Sequence, residues 1–153
     1  MKGETKLKNQ YERMINKYYR QYLEERFKEL NIGRAEAPYI NLLHRKSPMK
    51  MNALISNVIF HKSHTTRAIN QLLKDGLITK KKDEDDKRSY IIAITEKGMK
   101  VAEKVEEILL DWEELINQSL TSDERIQLEN MRKKVYLNLK NYFEKEQNNE
   151  TDV

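Results

Sequence analysis

The chain has 153 residues, 38% apolar and 35% charged, with a net charge of +4, four glycines and two prolines. This length suits one domain elaborated by long helices, and so little punctuation argues against a sandwich or barrel of short strands. Without cysteine there can be no disulfide, thiolate metal site or thiol redox sensor; with no apolar leader or membrane-length run, a cytoplasmic location is expected.

Leu7, Tyr11, Met14, Ile15, Tyr18, Tyr22, Leu23 and Phe27 recur at three- and four-residue steps. That spacing predicts a long amphipathic helix, closed near Gly33. A shorter helix is expected over 34–46, with Pro38 tolerable because it lies near the start. Ser47-Pro48 marks a loop, and Asn52 is placed to cap a third helix through about Ile59. The stretch "FHKSHTTRAINQLLKDG" supplies a fourth helix that ends at Gly76.

The period then changes. "LITKKK" and "SYIIAIT" are short strand-like runs joined by the charged "DEDDKR", which predicts a hairpin with a solvated tip. Thr95 can cap a long helix carrying Met99, Ala102, Val105, Ile108, Leu109 and Trp112. Thr121 to Glu124 forms a capping-box pattern that opens a last helix with Leu128, Met131, Val135, Leu139, Tyr142 and Phe143. The tail "EKEQNNETDV" is expected to fray. The predicted fold class is therefore mainly α with a small two-stranded β-wing: a winged helix-turn-helix over 34–96, flanked by long terminal helices over 5–33 and 97–146.

Charge is distributed unevenly along this order. From Ala37 to Lys74 there is no Asp or Glu, while Arg45, Lys46, Lys50, Lys62, Arg67 and Lys74 lie inside. Of the 25 acidic residues, 19 follow that window and six precede it. A face that binds a polyanion needs such a zone, because a carboxylate there would repel phosphate.

The fourth helix carries the most chemistry. Ser63, Thr66, Arg67 and Asn70 stand at i, i+3, i+4 and i+7 and so share one face, opposite Thr65, Ile69, Leu72 and Leu73. The first row suits base edges: Arg can donate two bonds to guanine, and Asn can pair bidentately with adenine. The alternative is an ordinary amphipathic helix with a solvated face. His61 and His64 raise a metal reading, but only His44 could join them and no carboxylate lies nearby in sequence, so no metal or other cofactor is expected. "DEDD", Asp83 to Asp86, could suggest a cation or nuclease site. Consecutive carboxylates on a hairpin tip instead alternate in direction and stay solvated. The more useful pair is Asp86 with Arg88, a carboxylate holding a guanidinium outward for a narrow minor groove, with Lys87 beside it for phosphate.

"HKSHTTRAINQLLKDGLITKKKDEDDKRSYIIAITEKG" resembles the recognition-helix-plus-wing signature of the MarR family of bacterial transcription regulators. The resemblance is carried by Thr66-Arg67, "LLKDGLI", Asp86-Lys87-Arg88 and "ITEKG", and it extends to the flanking helices. It implies a homodimer, held by a helical dimerisation lobe from 5–33 and 97–146, that reads adjacent major grooves of a pseudo-palindrome in double-stranded DNA, without an enzymatic step. Ser63, His64, Thr66, Arg67 and Asn70 would enter the major groove and Arg88 the minor groove, while Lys50, Asn52, Lys62 and Lys87 position phosphates. Many relatives are released from DNA by small aromatic or anionic effectors bound between the lobes. By that resemblance Tyr18, Tyr22, Tyr39, His44 and Arg45 could line such a cleft. The rival classes are a metal-dependent enzyme using the histidines or the acidic tip, and a winged-helix module that binds an acidic protein.

Overall fold

The computed structural model describes residues 2–58 and 62–150, with side chains described for 10–58 and 65–144. His61 lies outside the described residues, as do Ile59, Phe60 and the side chains of Lys62, Ser63 and His64. In chain order the elements are α1 (Lys2–Glu29), α2 (Ala37–Lys46), β1 (Met49–Lys50), α3 (Met51–Ser56), α4 (Lys62–Lys74), β2 (Ile78–Lys82), β3 (Tyr90–Ile94), α5 (Glu96–Asn117) and α6 (Ser122–Glu150). The chain divides into two compact units, 1–112 and 113–153. Among the described residues no helix is long and apolar enough to cross a membrane.

The first unit is built around one core. Leu23 and Phe27 of α1, Tyr39, Ile40 and Leu43 of α2, and Leu54 of α3 join Ile69 and Leu72 of α4, Ile92 of β3, and Ala102 and Val105 of α5. The sheet is antiparallel in the order β1-β3-β2, with Met49 opposite Ile92 and Lys82 opposite Tyr90. It therefore has three strands where the sequence predicts two. The extra strand is two residues long, too short to show a period-2 pattern. It is secured by partners distant in sequence: Met49 and Lys50 pair with Ile92 and Ile91, and just before the strand Ser47 Oγ accepts the Ile94 N–H at 2.9 Å.

Several ends differ from expectation. α1 is closed by Asn31, not Gly33: Asn31 adopts φ 51°, the Asn31 N–H donates to Lys28 O, and the Ile32 N–H reaches back to Phe27 O. Asparagine tolerates this left-handed conformation through its short polar side chain. Asn52 is not a cap but stands inside α3, whose N-cap is Lys50. That helix ends at Ser56, where the Ser56 hydroxyl and the Asn57 amide both donate to Ala53 O. At its far end α6 runs to Glu150, and the last three residues of the tail expected to fray lie outside the described residues.

Other signals map directly onto local structure. Gly76 closes α4 with φ 69°, its N–H donating to Leu73 O while the Leu77 N–H donates to Leu72 O. Thr95 caps α5, its Oγ1 accepting the Gly98 N–H at 3.0 Å and donating to Gly76 O at 2.8 Å. The Thr95 N–H donates to Leu77 O at 3.0 Å, and a Cβ on Gly98 would collide with that same carbonyl. Hence "GLI" and "ITEKG" belong together: the α4 exit, the first wing strand and the α5 entry meet at one backbone knot.

The second unit holds the end of α5 and all of α6. The Thr121–Glu124 capping box forms as expected, with Glu124 Oε2 accepting the Thr121 N–H at 2.8 Å and Thr121 Oγ1 accepting the Glu124 N–H at 3.3 Å. Arg125 grips Glu114 with two parallel bonds of 3.0 and 3.1 Å, and the guanidinium holds that carboxyl below the usual range.

Candidate nucleic-acid interface

α4 presents the surface expected of a reading head. Thr65, Ala68, Ile69 and Leu72 are buried, Leu73 is half-buried, and Thr66, Arg67 and Asn70 are exposed. The helix has no acidic residue in its first turn, so its positive dipole end is not offset by a carboxylate there. Arg67 and Asn70 can thus offer donors and acceptors outward while the opposite seam holds the helix to the core.

The wing is more differentiated than its run of acids suggests. Asp83 is buried, with its N–H donating to Ser89 O and its Oδ1 accepting the Asp85 N–H at 3.1 Å. Lys50 Nζ lies 3.0 Å from Asp83 Oδ2, an ion pair whose alignment falls short of a hydrogen bond. The ammonium holds the Asp83 carboxyl below the usual carboxylate range, and the backbone N–H of Asp85 adds to the effect. Asp83 is therefore not part of a solvated tip. It ties the base of the wing to β1.

Asp86 organises the turn. Its backbone O accepts the Ser89 N–H at 2.8 Å, and its Oδ1 accepts the Arg88 N–H at 3.1 Å. The Arg88 guanidinium is a looser partner, at 3.8 Å, and its side chain is 96% exposed. Asp86 thus fixes where the Arg88 backbone stands and leaves the guanidinium free to reach outward. Lys87 is exposed beside it.

Of the residues expected to position phosphates, Asn52 is exposed in the first turn of α3, and Lys50 is exposed but engaged with Asp83. Three cations not singled out from sequence also stand exposed: Lys80, Lys81 and Lys82 on the edge strand β2. Lys80 Nζ sits 4.1 Å above the Tyr90 ring, which orients it along the wing. The available signal was a lysine run on an edge strand, easily read as a device against strand-to-strand aggregation.

The expected effector-binding set does not converge as one group. Tyr18 is exposed, Tyr22 packs against Trp112 at 5.2 Å, and Tyr39 is fully buried with its hydroxyl bonded to Thr65. His44 and Arg45 do share a partner. Arg45 donates to Glu106 Oε1 at 2.8 Å, and His44 Nδ1 lies 3.4 Å from Glu106 Oε2 without a well-aligned hydrogen bond. Among the described residues no group of three or more His, Cys, Asp or Glu gathers as a metal shell.

Residues 36–98, which hold α2, β1, α3, α4 and the β2–β3 hairpin, match a family model described as a winged helix DNA-binding domain. The crystal structure of a MarR transcriptional regulator from Methanosarcina mazei Go1 matches 87% of this chain and 96% of its own, with a TM-score of 0.77 and 25% identity. The chain carries a winged helix DNA-binding domain within a fold shared with MarR regulators. A mutant MarR from E. coli complexed with operator DNA shares the fold, with a TM-score of 0.73 and 22% identity over 83% of this chain and 91% of that one. The HTH-type transcriptional regulator BilQ of Clostridium symbiosum (strain WAL-14163) is 29% identical over 90 residues, 59% of this chain and 62% of that protein. Its namesake in Clostridioides difficile (strain CD3) is 25% identical over 110 residues, 72% of this chain and 74% of that one.

Proposed function

We propose that this chain is a homodimeric, sequence-specific repressor that binds a pseudo-palindromic operator in double-stranded DNA. The observation that carries the reading is the division of α4 into a buried apolar seam and an exposed Thr66–Arg67–Asn70 row, with the exposed Arg88 of the wing beyond it. In this reading Arg67 and Asn70 contact base edges together with Ser63, His64 and Thr66, and Arg88 enters the adjoining minor groove. Asn52, Lys62 and Lys87 set the register on phosphates, joined by Lys80 to Lys82. Lys50 contributes mainly by holding the wing through Asp83.

The second copy follows from what a single chain leaves uncovered. Tyr11, Ile15 and Tyr18 lie along one face of α1 and are exposed, and Met131, Val135, Leu139 and Tyr142 recur along α6, also exposed. Apolar rows of this extent mark interaction sites, and closed two-fold pairing is the commonest way to cover them. Two-fold symmetry would set the reading heads about 34–36 Å apart, one turn of DNA.

Release by a small anionic effector fits the cluster on Glu106. An anion that drew Arg45 and His44 to itself would compete with that carboxylate and loosen α2 from α5. No enzymatic step enters this reading.

Selection of bound duplexes from a random pool by the full-length protein tests the proposal. The expected outcome is one enriched pseudo-palindrome with half-site centres about 10–10.5 base pairs apart or a multiple of it. Failure to enrich any sequence would favour the protein-interaction reading instead, and stoichiometric metal lost on His64→Ala would favour an enzyme.

A further inference from the structure

Packing alone gives α4 its depth but not its rotation. Ala68, Ile69 and Leu72 bury an apolar seam, and apolar burial is non-directional, so such a seam tolerates small turns about the helix axis. A directional contact sits one turn earlier. The hydroxyl of Tyr39, on α2, donates a 2.7 Å hydrogen bond to Thr65 Oγ1, and both residues are fully buried. We propose that Tyr39 and Thr65 are a positioning pair that sets the rotation of the recognition helix, and with it the selectivity for operator over random DNA. This inference rests on the reading that α4 enters the major groove.

Chemistry at the two positions supports it. Phenylalanine and valine would fill nearly the same volumes without burying hydroxyl groups that must each be desolvated. Stability alone therefore does not call for this pair, whereas a fixed geometry does. Thr65 immediately precedes Thr66 and Arg67, so whatever fixes its azimuth fixes theirs. A side-chain tip about 6 Å from the helix axis moves by about 2 Å when the helix turns by about 20°. A bidentate contact to a base must be held within about 0.5 Å. Contacts to phosphates, made by flexible lysines, are far less sensitive.

Tyr39 is also well placed to serve as a reference point. Its helix is tied at the other end to α5, through Arg45 and His44 on Glu106. The hydrogen bond therefore connects the reading head to an element that is itself anchored.

The test uses the full-length protein and the operator recovered by selection. Tyr39→Phe, Thr65→Val, Thr65→Ser and the double variant Tyr39→Phe with Thr65→Val are compared for operator affinity, random-duplex affinity, dimer mass and Tm. Each of Tyr39→Phe and Thr65→Val is expected to lose about five- to tenfold in operator affinity, the worth of one buried hydrogen bond. Random-duplex affinity and dimer mass should hold. The double variant should be no worse than either single one, and Thr65→Ser, which keeps the hydroxyl, should stay selective. The inference is overturned if the operator-to-random ratio is unchanged in both single variants, if the two affinities fall together with Tm, or if the losses add in the double variant. Should Tyr39→Phe fail to fold, Thr65→Val decides alone by the same ratio. A wild-type protein with no operator preference would instead remove the DNA-reading function, and the positioning role with it.

Discussion

α4 and α6 both carry apolar residues at helical spacing, yet the chain treats them in opposite ways. In α4 the row is consumed internally: Ala68, Ile69 and Leu72 are buried, and the polar row stands outside. In α6, Ile126, Met131, Val135, Tyr136, Leu139, Tyr142 and Phe143 are all exposed. An apolar periodicity therefore shows which face of a helix must be covered without showing whether its own chain covers it. The largest effect should come from breaking the α6 row. Val135→Glu together with Leu139→Glu places charges where apolar side chains worth about 1.5–3 kcal/mol each would be buried, and two-fold symmetry counts each change twice. Sedimentation should show half the native mass, with operator affinity reduced by at least about 100-fold. Native mass in the double variant would show that the α6 row is not the dimer seam.

A change in the first unit should do the reverse, harming the fold and sparing assembly. The Leu77 carbonyl that would meet a Cβ on Gly98 already accepts the Thr95 N–H, so neither backbone can easily yield. Gly98→Ala should cost about 1–3 kcal/mol in denaturant unfolding, in the range of other overpacked sites, and leave the oligomeric mass unchanged. An unaltered unfolding midpoint would mean the knot between α4, β2 and α5 can relax.

The same contrast accounts for what was legible in sequence. Local signals held wherever a residue satisfies its own neighbours. Gly76 at the end of α4, Thr95 before α5 and the Thr121–Glu124 box all sit where their chemistry places them. The two faces of α4 followed from residue spacing alone, since one face had to be apolar. What stayed hidden depends on partners far along the chain. β1 exists because Ser47 and Met49 meet β3, and Asp83 turns inward because Lys50 is there to receive it. Tyr39 looked like a cleft residue because an aromatic at helical spacing carries no mark of the Thr65 hydroxyl 26 positions away. Asn52 was the opposite case, a good cap by type displaced because Lys50 already begins the turn.

Within the proposed reading surface, Arg67 and Lys87 sharpen the comparison further, since one would read and the other only hold. Arg67→Ala should cost about 1–3 kcal/mol in operator affinity and relax preference at the base pair it contacts. Lys87→Ala should weaken all duplexes alike and reduce the slope of log affinity against log salt by about 1. Titrations of both variants against operator and random DNA across a salt series separate the two. Equal losses on both duplexes for Arg67→Ala would place its guanidinium on phosphate.

The smallest effect concerns the base of the wing, and its sign follows from Asp83. The Lys50 ammonium holds this carboxyl below the usual range in the folded chain, so between the folded and unfolded values the unfolded chain binds more protons. Stability therefore rises with pH in that interval. The contribution is complete above about pH 4, the ordinary carboxylate value, and drains away as pH falls through the lower folded value. Near neutrality it adds no slope. Asp83→Asn should consequently be less stable than the native chain at pH 7, and the gap should narrow as both are acidified toward pH 3. Other carboxylates held low, Glu114 by Arg125 and Glu124 by the Thr121 N–H and hydroxyl, stay in both proteins and contribute equally. The difference between the two unfolding curves thus isolates the wing. A gap that stayed constant from pH 7 to pH 3 would mean that Asp83 supports the turn through its backbone bonds alone, and that Lys50 is free for phosphate after all.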